Sequence, residues 1–540
     1  MSIAVQRDIH DNTPVINSKK KLVWSYAGVL CCALVLYIIS CAPGFLWQDS
    51  GLIQYRIWHN DIEGFLGLAI AHPLFYIIAI GAKYVPLGEF AHRVNLVSAI
   101  AGALAVANLF LLVRLWIGKN LPAVIAAVTF AVSHTFWRHA SIIETYTLWT
   151  AIFIAELIML LQYIKTKRVS FLYWLGLLNG LAISVHMLAS IPFLCYAIFF
   201  VVLLIRKDIR FRNLAIIILL WVVGALPYEY LIIKNIVQTG DVTGTLASAL
   251  FGVRWQRAVL NTSLSAGILK ENFLCIFYNF PTPNILLFFA GVGWALAHAV
   301  PSWWAEAHPT ATIWQSRSFG NVLVGLIILF FIFAFRYTVP DRYVFFIPFY
   351  CMASVFIGLG AHHLQEKTNS KVFIYLVLIF SFLPIGIYAA APTLAEKNQL
   401  KLGTRDNIPY RNEYRYFLQP WKTGYKGAER FADEALDAVE SNAVIFADST
   451  TVAPFLLAQQ IKGKRGDVKI VSGTIYSADA PSFNEHTIKQ LLEDKPIYVV
   501  SPQPEYCPAF VIDNYDLVPH GILWRVVKQK ENEQSTYHKP

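Results

Sequence analysis

The sequence predicts a polytopic α-helical membrane protein followed by a small α/β domain outside the bilayer. Three observations carry this. Of 540 residues, 56% are hydrophobic and only 14% charged, against roughly 25% charged in soluble domains. Mean hydropathy is +0.50, and about eleven apolar runs approach the ~20 residues that cross a hydrocarbon core. After residue 391 the chain turns polar, with alternating helix and strand patterns.

The first run, 22–41, follows Lys19, Lys20 and Lys21, which keep the N-terminus cytoplasmic. With a polar stretch before it, it reads as an anchoring span, not a cleaved signal. His72 to Val85 is apolar but short, opens with Pro73, and reads as an interfacial or half-inserted helix. Further spans fall near 94–116, 121–139, 142–164, 171–187, 189–205, 213–233, 284–300, 321–338, 343–363 and 371–390. Threaded in order, they put the clusters at 165–168 and 206–212 on the side of Lys19–Lys21, as the positive-inside rule requires. The loops at 43–71, 234–283 and 339–342 are then external, as is everything after 391. The expected organisation is a membrane domain, 1–390, and an extracytoplasmic α/β domain, 391–540. In the tail, helices at 428–439, 452–462 and 485–493 alternate with strands at 443–447, 468–472 and 497–501, predicting a parallel sheet. It has no GxGxxG, so no nucleotide site is assigned.

Composition excludes several classes. The net charge of +10 reflects basic loops between spans rather than nucleic-acid binding. The seven cysteines form no CxxC pair, so neither a zinc site nor a disulfide framework is supported. Trp303, Trp304 and Trp314 read as an interfacial aromatic belt. Glu156 lies inside a span, where it needs a neighbouring partner.

The unusual polar residues gather at one membrane face. Trp47 to Pro73, the first external loop, carries Asp49, Asp61, Glu63 and His72. Other external turns bring Arg138, His139, Glu144, Tyr146, His186, Asp341, Arg342 and Tyr343 to the same level. Each has a bland alternative. Arg138 and His139 can snorkel at a helix end. Asp341 and Arg342 can form a surface ion pair worth little. Asp61 and Glu63 can be a solvated face, and Asp49 can cap a short helix.

Asp49-Ser50-Gly51, Ala71-His72-Pro73, Arg93 to Ala99, Phe136-Trp137 through Glu144-Thr145-Tyr146, His186, and the runs 339–348 and 406–422 occur in a set order. This order resembles the GT-C glycosyltransferases. More specifically, it is similar to the protein O-mannosyltransferase family formerly described as a domain of unknown function. Two departures stand out: Leu52 where that family often has an acid after the Asp-Ser-Gly, and His72-Pro73-Leu74 where it often continues with a second proline.

The resemblance implies a GT-C-like bundle and sugar transfer from a polyprenyl-phosphate donor, with inversion. The sugar is mannose in that family, and the acceptor a Ser or Thr hydroxyl of an extracytoplasmic protein. Asp49 would be the general base, because a neutral hydroxyl is a poor nucleophile. His72, Arg93, Arg138 and Arg342 would hold the donor phosphate, where a guanidinium fork suits phosphate oxygens. Glu144, Tyr146, His186 and Asp341 would position substrate. No cofactor is assigned. A divalent metal is left open, with Asp61 and Glu63 as an acid-x-acid pair. The partners are the lipid bilayer, the lipid-linked sugar and the acceptor protein, with no nucleic acid. Apart from the resemblance, the N-terminus and short loops favour a bacterial inner membrane over an endoplasmic reticulum membrane as the expected placement, with the site and tail facing the periplasm and the tail adding acceptor contacts but no chemistry. Rival readings are a transferase acting on lipid or glycan, as aminoarabinose transferases do, a transporter or flippase, and a receptor or scaffold. A transporter would carry polar groups at mid-membrane depth, whereas these spans are apolar there.

Overall fold

The computed structural model describes residues 13–252, 261, 265–297, 313–339, 341–402, 405–472 and 484–528. Trp303, Trp304 and the Trp314 side chain lie outside the described structure. Eleven helices lead into the bundle: α1 (Thr13–Ser40), α2 (Gln48–Trp58), α3 (Pro73–Lys83), α4 (Phe90–Ile117), α5 (Asn120–Ala131), α6 (His134–Ser141), α7 (Tyr146–Thr166), α8 (Ser170–Val185), α9 (Ser190–Ile205), α10 (Phe211–Thr239) and α11 (Val242–Phe251). The bundle continues with Ala266–Asn279, Leu287–Ala297, Ile313–Arg336, Ile347–Thr368 and Lys371–Lys397.

Among the described residues, eight helices are long and apolar enough to cross a membrane, or ten if each bent pair counts as one span. About eleven spans were expected, and α8 accounts for the difference. It has 16 residues, about 24 Å at 1.5 Å per residue, short of a ~30 Å hydrocarbon core. It is nevertheless pressed against α10. A Cβ on Gly180 would stand 2.1 Å from the Trp221 carbonyl oxygen, so only hydrogen fits where these backbones touch.

The two bent pairs matter for the site. α5 and α6 meet at 66°, because Ser133 is extended and its hydroxyl donates to the Phe130 carbonyl at 2.8 Å. α6 therefore crosses the end of the bundle instead of continuing through it. The second pair turns by 109° at the segment holding Pro281 and Pro283, where missing N–H donors end the first helix.

The tail forms a five-stranded sheet of β1 (Val444–Phe446), β2 (Lys469–Val471), β3 (Ile497–Val499), β4 (Tyr515–His520) and β5 (Leu523–Lys528), in the order β2-β1-β3-β5-β4. The first three are parallel, as predicted. The sheet as a whole is mixed, because β5 runs antiparallel to β3 and pairs with β4 in a hairpin. Pro519 and scattered charges blurred the alternation there; Pro519 is tolerated because β4 is an edge strand.

The tail is seated on the bundle end that carries α2 and α6. Lys422 N–H donates to the Ser40 carbonyl at 2.7 Å. Tyr278 donates to the Leu418 carbonyl at 2.8 Å, and the rings of Trp47 and Phe431 lie 5.5 Å apart. One hydrophobic core runs through both parts.

Candidate active site

The site begins with α2. Trp47, buried and extended, is its N-cap residue, and Asp49 sits exposed in the first turn. Asp49 is therefore not the cap. Its carboxylate lies where the helix N–H dipoles favour negative charge. Behind it, Gln54 accepts from Leu46 N–H at 3.0 Å and donates to Asn95 Oδ1 at 3.0 Å. Asn95 in turn donates to the Ala42 carbonyl at 2.8 Å. These buried amides pin α2 to α4, and burial without such partners would be costly.

The turn between α6 and α7 brings the second acid. Glu144 N–H donates to Ser98 Oγ at 2.8 Å, and Ser98 Oγ lies 2.9 Å from the Glu144 carbonyl, to which it donates. Ser50, next to Asp49, donates to Glu144 Oε1 at 2.7 Å. Burial pushes the Glu144 carboxyl up to about 8, with the Asp49 charge adding to it, while the Ser50 bond and Arg138 oppose. Asp341 completes the group. Burial, then the Asp49 charge, raise it to about 6. Three carboxyls from distant parts of the chain thus share one electrostatic environment, and Asp49 is the exposed one.

Arg138 faces this group from α6. Its Nη1 donates to the Tyr343 hydroxyl. Its guanidinium carbon lies 4.8 Å from the Phe417 ring centre and 5.4 Å from that of Tyr416. It is a buried cation walled by aromatic rings, near Glu144 and Asp341.

A ring stack closes the other side. His72 and His186 stack at 4.8 Å, His186 meets Tyr146 at 5.0 Å, and Tyr146 meets His139 at 5.4 Å. His186 Nδ1 accepts from Leu188 N–H at 3.1 Å, so a neutral ring carries its proton on Nε2. His72 is pushed down to about 3 by burial and by the Arg56 charge, with a bond to the Val185 backbone opposing. Burial therefore favours its neutral ring over the imidazolium.

The structure therefore gathers Asp49, Glu144, Asp341, Arg138, Tyr146, His72 and His186. It takes four expected residues elsewhere. Arg342 pairs with Glu271, away from its neighbour Asp341. Arg93 Nη1 donates to the Val85 carbonyl at 2.6 Å and holds the turn between α3 and α4. Asp61 binds Arg56 at 3.3 Å and accepts from the Glu63 and Gly64 N–H groups at 3.0 and 2.8 Å. Glu63 pairs with Lys234 at 2.5 Å. Asp61 and Glu63 thus do not turn their carboxylates to a common point. Among the described residues, no three His, Cys, Asp or Glu side chains gather as a metal-ligand set.

Three contributors escaped the sequence reading. Ser50 and Ser98 are small hydroxyls whose role depends on what they face. Arg411 comes from the tail. The signal for Arg411 was the Arg- and Tyr-rich run that follows the last span, and Ser50 and Ser98 lie in segments that carry the resemblance.

Comparison with known proteins is consistent with this picture. Residues 66–210 match the family model of the protein O-mannosyl-transferase TMEM260 N-terminal domain. That range holds His72, Arg138, Glu144, Tyr146 and His186, but neither Asp49 nor Asp341. Protein O-mannosyl-transferase TMEM260 of Mus musculus is 27% identical over 183 residues, 31% of this chain and 25% of the mouse protein. The match thus spans a quarter of that relative's length. The crystal structure of ArnT from Cupriavidus metallidurans bound to undecaprenyl phosphate superposes with a TM-score of 0.60 at 14% identity, covering 93% of this chain and 97% of that one. The apo form of the same protein gives 0.58 at 13% identity, with the same coverage. The chain shares the fold of these ArnT structures.

Proposed function

We propose that the chain is a membrane glycosyltransferase that moves a sugar, mannose, from a polyprenyl-phosphate donor to Ser or Thr hydroxyls of an extracytoplasmic protein. The observation that carries this reading is that one exposed carboxylate, Asp49, and one buried cation, Arg138, both act on the same two acids, Glu144 and Asp341. Transfer to a hydroxyl needs both a proton acceptor and a counter-charge for the departing phosphate. The partial likeness to an O-mannosyltransferase supports the sugar and the acceptor class. The likeness to a protein solved with undecaprenyl phosphate supports the donor lipid.

In this reaction the acceptor hydroxyl approaches the anomeric carbon from the face opposite the phosphate. Asp49 takes its proton as the new C–O bond forms, and the anomeric C–O bond to phosphate breaks with inversion. Arg138 stabilises the charge that develops on the phosphate, and its aromatic walls keep water out, which strengthens that interaction. Glu144, whose burial favours the protonated acid, accepts from Ser50 and limits negative charge beside the departing anion. The stacked His72 and His186 rings, with Tyr146 tilted against them, offer ring faces and edges to the sugar or its lipid-proximal end. The lipid tail lies between helices open to the bilayer. The basic clusters at 165–168 and 206–212 support a site and a tail outside the cytoplasm.

The test uses purified protein in vesicles with polyprenyl-phosphate-[14C]mannose and a Ser/Thr-rich peptide. Label in the peptide, lost when its hydroxyls are replaced by Ala, is the expected result. Label only in added lipid A-type acceptors would favour the lipid-glycosylating alternative. No transfer to either would overturn the proposal.

A further inference from the structure

Three residues around Asp49, namely Trp47, Gln48 and Gly51, are held by the tail. Gln48 has φ +54, a left-handed conformation that a residue with a side chain keeps only when its surroundings impose it. Two tail residues impose it. Gln48 N–H donates to the Thr450 carbonyl at 3.2 Å, and Arg411 Nη2 donates to Gln48 Oε1 at 3.2 Å. Arg411 is 1% exposed. Its Nε lies 2.8 Å from Glu413, and its guanidinium lies 5.0 Å from the ring centre of Tyr416 and 5.8 Å from that of Trp47. Trp47 Nε1 donates to the Tyr425 hydroxyl at 2.6 Å. A Cβ on Gly51 would stand 3.2 Å from Ala453 Cβ in the tail helix Val452–Lys462. Trp47, Gln48 and Gly51 are thus gripped by the tail and Ser50 by Glu144, while Asp49 between them is exposed.

We propose that Arg411 is a positioning residue for Asp49, acting through Gln48, and that the tail thereby sets the geometry of the reaction. The idea rests on Asp49 being the general base. Arg411 is buried, and its contact to this segment is made through the Gln48 side chain. It fixes the backbone turn from which Asp49 projects. A carboxylate displaced by about an ångström loses about 100-fold in rate, so this coupling would be felt in kcat.

The experiment is a mutant cycle on the full-length protein in vesicles, with kcat, donor KM and thermal midpoint measured for each form. Arg411→Met is expected to lower kcat by about 10- to 100-fold with donor KM unchanged. Gln48→Met keeps the Arg411–Glu413 pair and is expected to lower kcat in the same way. It serves as the test if Arg411→Met does not fold. The double variant is expected to be no slower than the slower single one. In an Asp49→Asn background, Arg411→Met is expected to leave residual turnover unchanged. Additive losses with Gln48→Met would overturn the proposal, as would an equal loss in the Asp49→Asn background or an effect confined to donor KM. Wild-type turnover in Asp49→Asn alone would instead overturn the base assignment, so the two failures are distinguishable.

Discussion

Ser50 donates its hydroxyl to Glu144 Oε1 at 2.7 Å, joining the residue next to Asp49 to the turn before α7. The bond holds a buried carboxyl whose proton affinity is raised, from the ordinary 4.5 to about 8, by burial and by Asp49. A group whose folded value lies above its unfolded one contributes stability that is present below the unfolded value and lost as pH rises through the folded one. For Glu144 that window runs from 4.5 to about 8. Gln mimics the protonated acid and still accepts from Ser50. Glu144→Gln should match wild type in thermal midpoint near the acid end of this window and exceed it at the alkaline end. Parallel midpoint curves across the range would show that Glu144 is not the titrating group.

Arg138 and Arg342 were equivalent candidates in the sequence and are not equivalent in the structure. Arg138 is buried against Tyr343, Tyr416 and Phe417 and faces the acid cluster. Arg342 is spent on Glu271. Arg138→Met should raise the apparent donor constant tenfold or more, since a charged hydrogen bond is worth roughly 1.5–3 kcal/mol. Arg342→Met should leave it within about twofold, since its partner Glu271 is largely solvent-exposed and such pairs are worth little. Donor titration of both variants checks this. Equal effects would place the phosphate elsewhere.

The tail was expected to add acceptor contacts and no chemistry, so that truncation from Gly427 would spare transfer to a short acceptor. Its seating on α2 reverses that expectation. Truncation removes Phe431, Thr450 and Ala453, which hold Trp47, Gln48 and Gly51. Transfer to a short peptide and to a whole protein should both fall to background. Transfer assays on membranes holding the truncated chain at normal levels check this. Intact peptide transfer would mean that α2 keeps its shape without the tail.

Much of this architecture is legible in the sequence because hydropathy is a long, redundant signal. α1, α4, α7 and α10 lie where the apolar runs put them, and the first three strands of the tail follow their alternation. The meeting of Asp49, Glu144 and Asp341 at one face followed from threading spans in order. Direction was not legible. Asp341 and Arg342 are adjacent, yet one enters the acid cluster and the other turns to Glu271; Asp341 is the N-cap of the short helix Arg342–Phe346, and Arg342 is its first residue. Arg93 sits in a segment that marks the family resemblance, but Asn95 and Ser98 of that segment make the site contacts. The role of Arg411 depends on a contact across 363 residues of chain, which no local pattern encodes.

Turnover of Asp49→Asn tests the central claim most directly. The helix cap is Trp47, so Asn costs α2 no cap. Losing a charge in the first turn costs only ~0.3–1 kcal/mol of helix stability. A folded variant that binds donor normally but turns over ~10²–10⁴-fold more slowly is the predicted result, because the amide accepts no proton. Turnover above roughly a tenth of wild type, well beyond what loss of a general base allows, would contradict it. If Asp341→Asn lost turnover instead, the base would lie on the other side of the acid cluster.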